Sequence, residues 1–198
     1  MILDPLYGFV FFGLFSPGPN VVLLTASGAR FGLRRTLPHL FGVVLGVGVT
    51  AGLTGLGIAA LLREAPALEL ILKIAASGWM MWMAWGLWTA DRRRGKADRD
   101  RPMTLIEGAL FQWVNPKAWS MALSAITLYA PGRGVASVLW VAGIYVACSL
   151  VSTSGWTVLG TAIGRLLGAP RRLRIFNIVM AILLVATLVP VFFAGASA

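Results

Sequence analysis

Chemistry built on cysteine, histidine or paired carboxylates has little to draw on in this chain, which holds one cysteine, one histidine and seven Asp or Glu in 198 residues. The lone Cys148 excludes an internal disulfide and any CxxC redox pair, and reads as a free cysteine of the core. With no histidine cluster and no carboxylates at ligand spacing, neither a metal centre nor an acid–base dyad is supported. The expectation is no catalytic residue, no metal and no cofactor. Charge of either sign is scarce, 12% of residues against 58% hydrophobic, with a mean hydropathy of +0.82. Once the apolar runs are counted, nothing is left over for a soluble module.

What the chain has in quantity is long apolar runs. Stretches of about 20 residues or more, enough to cross ~30 Å of hydrocarbon, fall at roughly 5–28, 37–61, 67–89, 104–129, 135–162 and 174–194. They predict an all-α integral membrane protein with six transmembrane helices in a single transmembrane domain, residues 1–198. Met1-Ile2-Leu3-Asp4 offers no basic n-region for a cleaved signal, so the first span is expected to be retained. The net charge of +10 invites a nucleic-acid reading, yet thirteen of the 17 Lys and Arg lie in the first, third and fifth connections. Positive-inside topology accounts for that pattern with no nucleic acid. It puts loops 28–36, 90–103 and 163–174 in the cytoplasm and both termini outside. The densest of them, the basic loop 91–102, divides the chain into halves of three spans, about 1–90 and 103–198. An odd number of crossings per half makes the second half enter from the opposite face, which is the logic of two inverted three-helix repeats.

Matching positions in the two halves carry prolines in mid-run: Ser16-Pro17-Gly18-Pro19-Asn20 in span 1 and Asn115-Pro116-Lys117 in span 4. Proline lacks an N–H and collides with the carbonyl four residues back, so helices 1 and 4 are expected to be broken near mid-membrane. Unpaired peptide groups are costly in lipid, which confines such a break to backbone facing protein or a water-filled cavity. Asn115-Pro116, Ser16-Pro17 and Gly18-Pro19 have the form of helix starts. Two helix N-termini meeting near the midplane would offer free N–H groups and partial positive charge to a carboxylate. The carbonyls of Gly13, Phe15 and Gln112, deprived of donors by the prolines, would suit an ammonium. The substrate expected is a zwitterionic amino acid, bound by Ser16, Pro17, Gly18, Pro19, Asn20, Asn115, Pro116 and Lys117.

Lys117 lies ~15 Å from either interface at 1.5 Å rise per residue, too deep to snorkel out with ease. It would hold the substrate carboxylate or, deprotonated, link transport to proton movement. A structural lysine held by local carbonyls or by Asn20 is the competing reading. Glu107 is a second candidate for proton coupling, near the cytoplasmic interface. The remaining features read as packing. His39, at the cytoplasmic start of span 2, is expected at the interface. Gly42, Gly46, Gly48 and Gly52 in span 2, with Gly160 and Gly164 in span 5, let helices approach closely. Ser149, Ser152, Thr153, Ser154 and Thr157 line a pathway or bond to neighbouring helices, and Trp79, Trp82, Trp85 and Trp88, with an aromatic ligand cage as the alternative, are expected to meet lipid or the interface.

Taken together, Ser16-Pro17-Gly18-Pro19, the basic turn Gly32-Leu33-Arg34-Arg35, the glycine-spaced run from Gly42 to Gly57, and Gly108 with Asn115-Pro116-Lys117-Ala118 resemble the LysE/RhtB family of small bacterial amino-acid exporters. The resemblance covers essentially the whole chain. It implies a secondary active transporter that exports amino acids or their derivatives across the inner membrane, driven by the proton-motive force. The two halves would rock about a midplane site in alternating access. Some relatives carry acidic residues within the membrane; this chain has none clearly at mid-depth, which favours a neutral or homoserine-like solute over lysine or arginine. Its partners would be the amino acid, protons and the bilayer, and a homo-oligomer is compatible. A small ion channel or non-transporting scaffold would instead tolerate alanine at Pro17, Pro19 and Pro116, and an intramembrane enzyme lacks the parts named above.

Overall fold

The computed structural model describes residues 5–57, 66–90, 101–129 and 134–189, which are helical apart from short turns. Most of the basic loop 91–102, the ends of the second and sixth apolar runs, Arg63 and Arg133 lie outside the described residues. In chain order the helices are α1 (Pro5–Phe15), α2 (Pro19–Phe31), α3 (Leu33–Gly55), α4 (Pro66–Trp88), α5 (Leu105–Val114), α6 (Pro116–Tyr129), α7 (Val135–Leu167) and α8 (Pro170–Ala186). Segments Leu33–Gly55, Leu70–Trp88 and Val135–Leu167 are each long and apolar enough to cross a membrane, and α1 with α2 passes the same test as a pair bent by 56°. The protein is all-helical among the described residues, with several helices suited to a bilayer.

The boundaries follow from local chemistry. α1 stops at Phe15 because Pro17 and Pro19 withdraw the next donors, and α2 restarts from an extended Gly18 with Pro19 in its first turn. The loop expected over 28–36 shrinks to one residue, Gly32 at φ 78, so that Arg34 and Arg35 fall in the first turn of α3. So tight a reversal needs the positive φ that glycine adopts at little cost. Gly168, at φ 49, ends α7 in the same way. α7 runs for 33 residues, past the expected end of its span at 162, and at 1.5 Å per residue it reaches ~50 Å, more than the hydrocarbon thickness. α5 opens on a capping box: the Glu107 N–H donates to Thr104 Oγ1 at 3.2 Å and the Thr104 N–H to Glu107 Oε2 at 2.8 Å.

Two apolar clusters hold the helices, and α2 belongs to both. Leu24 packs with Val10 of α1, Val43 and Val47 of α3, Ala122 of α6 and Tyr145 of α7. Val22 and Leu23 pack with Met80 of α4, Phe111 of α5 and Leu184 of α8. From Pro19 to Gly28, every residue except Asn20 is buried. Glycines set the closest crossings: a Cβ on Gly42 or Gly46 would strike the Leu105 or Ala109 carbonyl of α5, and one on Gly160 or Gly164 would strike the Thr25 or Ala29 carbonyl of α2. Gly52, by contrast, faces open space. The outer surface is apolar, with Leu45, Val49, Leu139 and Val151 exposed, as suits contact with lipid better than water.

Candidate functional site

The break between α1 and α2 and the join of α5 to α6 meet in space. Lys117, at the start of α6, reaches into the break: its Nζ donates to the Ser16 carbonyl at 2.8 Å, to Ser16 Oγ at 2.8 Å and to the Pro17 carbonyl at 3.2 Å. Its stem lies against Gly18, where a Cβ would come within 2.9 Å of Lys117 Cδ and 3.0 Å of Nζ. Ser16, Gly18, Pro19, Asn20, Asn115 and Lys117 all border one small cavity of about 20 Å³, room for about one water. Ser16 is exposed at its edge, whereas Gly18, Pro19 and Asn115 are buried.

Behind Lys117 runs a chain of side-chain amides. Asn20 and Gln112 bond reciprocally, Asn20 Nδ2 to Gln112 Oε1 at 2.8 Å and Gln112 Nε2 to Asn20 Oδ1 at 3.0 Å. Gln112 Nε2 also donates to the Gly108 carbonyl at 3.0 Å, and Asn115 Nδ2 donates to Gln112 Oε1 at 3.3 Å. The Asn115 side chain then caps α6, accepting from the Lys117 N–H at 3.2 Å. Gln112 is fully buried and pairs across 92 residues of sequence. Sequence reading singled out its backbone carbonyl and missed its side chain; the available signal was an amide placed three residues before Asn115 in an otherwise apolar run.

The carbonyls expected to await an ammonium already have donors. Gly13 accepts from Ser16 Oγ at 2.8 Å, Phe15 from Trp156 Nε1 at 3.2 Å and Gln112 from the Asn115 N–H at 3.3 Å. The acceptors that do face an ammonium are Ser16 and Pro17, and the ammonium is the protein's own, from Lys117. The Lys117–Asn20 contact considered from sequence is replaced by the Asn20–Gln112 pair.

Glu107 stands apart from this cluster. It closes the α5 capping box and receives both Arg101 guanidinium nitrogens at 2.7 Å. His39 is buried at 1% exposure, packed where Gly108 leaves space, and does not sit at an open interface as expected. Of the polar residues on α7, Thr153 and Thr157 return their hydroxyls to the carbonyls of Ser149 and Thr153, and Ser152 Oγ crosses to the Leu14 carbonyl at 3.0 Å.

The chain is 28% identical over 198 residues to a cysteine/O-acetylserine efflux protein of Salmonella paratyphi A, covering 98% of each chain. It is 26% identical over 196 residues to one of Escherichia coli O1:K1, covering 97% of this chain and 98% of that one. No solved structure matches. Residues 11–194 match the family described as LysE type translocator, and the chain belongs to that family.

Proposed function

We propose that the protein exports small amino acids with uncharged side chains, or their O-acyl derivatives, from the cytoplasm through a site made by the α1–α2 break and the α5–α6 join. Its family and relatives make it a multi-pass membrane transporter rather than an enzyme, with amino-acid efflux as its class. The observation that carries the finer reading is the Lys117 ammonium lying on the Ser16 and Pro17 carbonyls. Those acceptors suit a substrate's ammonium, and Lys117, once displaced, is placed to take its carboxylate. The relatives' names favour a cysteine-sized or O-acetylserine-sized solute, in keeping with the uncharged amides Asn20, Gln112 and Asn115.

The roughly 20 Å³ cavity does not hold an amino acid, so admission requires the two breaks to part, as alternating access of two halves would do. Reciprocal packing supports an inverted repeat: α1 and α2 lie on α7 as α5 and α6 lie on α3, while α4 lies on α8. Those pairings exchange with one another if the halves are related by a two-fold axis in the membrane plane. The basic loops would face the cytoplasm, with both termini outside and Lys117 or Glu107 carrying the coupled proton.

Purified protein in liposomes tests the reading. Counterflow of O-acetyl-L-serine, L-cysteine or L-homoserine, enhanced by a pH gradient, is expected. Failure to move any of the three, with or without the gradient, would sink it.

A further inference from the structure

At the basic-loop end of the molecule, α2, α4 and the start of α5 border a half-open chamber of about 550 Å³. That lies within the ~300–1,000 Å³ of ordinary small-molecule sites and is far larger than the roughly 20 Å³ cavity at the break. One side is apolar and aromatic, formed by Leu23 of α2 with Trp79, Trp82 and Met83 of α4. The other carries Ser27, His39, Arg101 and Glu107.

Two features mark this as more than a packing gap. His39 borders the chamber with neither ring nitrogen hydrogen-bonded, although the residue is 1% exposed. A buried polar group left unpaired calls for an explanation, and a ligand supplies one in a state where the chamber wall moves enough to uncover the ring nitrogens, which are closed off here. Beside it the Arg101–Glu107 pair is only half sheltered, with side chains 54% and 37% exposed. Glu107 Oε2 also receives the Thr104 N–H, whereas Oε1 serves Arg101 alone among the described bonds. An α-amino acid brings a carboxylate and an ammonium a few ångströms apart, the complement of a guanidinium beside a carboxylate.

We propose that this chamber is a second ligand site, a holding site for a small zwitterionic amino acid with an uncharged side chain. The ligand carboxylate lies on Arg101, its ammonium on Glu107 Oε1, and its side chain against Trp82 and Met83 beside His39. The chamber connects chemically to the break, because Gly108 follows Glu107 and accepts from Gln112, which bonds Asn20. The place of the chamber in a transport cycle rests on the exporter reading above; binding in it does not.

Equilibrium binding to the purified protein in nanodiscs, read by calorimetry and tryptophan fluorescence, separates the two. The probes are O-acetyl-L-serine, L-cysteine, L-homoserine and L-leucine. Glu107→Gln removes the charge while keeping a residue that can complete the capping box; with Arg101→Gln it is expected to weaken binding about tenfold or more, as loss of a charge-assisted contact does. Trp82→Phe should remove most of the fluorescence change, and that Trp82-dependent change should persist in Lys117→Ala. Binding unaffected by both charge variants but abolished by Lys117→Ala overturns the chamber and leaves the exporter reading intact. So does a wild-type protein that binds none of the probes while moving one in liposomes. A fluorescence change produced by anionic phospholipid and not by any probe also overturns it, since the occupant would then be lipid.

Discussion

On the proposed reading, the Lys117 ammonium occupies the acceptors that a substrate would use. An ammonium on two carbonyls and a hydroxyl is well satisfied, and a charge-assisted hydrogen bond contributes about 1.5–3 kcal/mol, so the empty protein is stable with its acceptors occupied. Lys117→Ala is expected to lower transport roughly 10- to 100-fold, which is what losing one or two such contacts in the loaded state implies, while Lys117→Arg, longer and planar, restores little. Flux near wild type in the alanine protein would refute a role at the site. Asn20→Leu should destabilise by about 1–3 kcal/mol, because it leaves the buried Gln112 amide short of a partner. The double variant Asn20→Leu/Gln112→Leu should regain only part of that loss in thermal unfolding, because Asn115 Nδ2 then lacks the Gln112 oxygen, and should not regain flux. Lys117 and the prolines were legible in the sequence because a charge at depth and a missing N–H are local facts. Gln112 was not, since an uncharged amide gains its meaning from a partner 92 residues away. His39 was misplaced for a related reason: position along a run gives depth, but not which side of the helix another helix covers.

At the scale of elements, proline and glycine gave most of the boundaries. Pro17 with Pro19 and Pro116 mark the helix ends seen at Phe15 and Val114, and Gly32 and Gly168 mark the turns. The length of α7 and the one-residue turn at Gly32 were less legible, because hydropathy reports where lipid contact is tolerated and not where the helical hydrogen bonds stop. Glycine spacing likewise named candidates without saying which face a neighbour. The structure separates them. Gly42→Leu, which would drive a side chain into the Leu105 backbone, is expected to abolish recovery of folded protein by size-exclusion chromatography, and Gly52→Leu to leave it unchanged. Equal recovery of the two variants would contradict the α3–α5 crossing.

For the whole molecule, the charge distribution predicts a sidedness that labelling can check. In a Cys148→Ala background, a cysteine at Arg171 should react with an impermeant maleimide in inside-out vesicles and stay unmodified in right-side-out spheroplasts. The opposite pattern would invert the topology. The arrangement of α2 has a further consequence for how the protein meets its surroundings. A helix that is half of a membrane span would ordinarily be counted among those bathed in lipid, yet from Pro19 to Gly28 protein covers all but Asn20. A lipid-phase carbene reagent should therefore mark α4 and α7 heavily and pass over α2. Its amides should be among the slowest to exchange with deuterium, the innermost stave of a barrel whose outer ones alone touch the membrane.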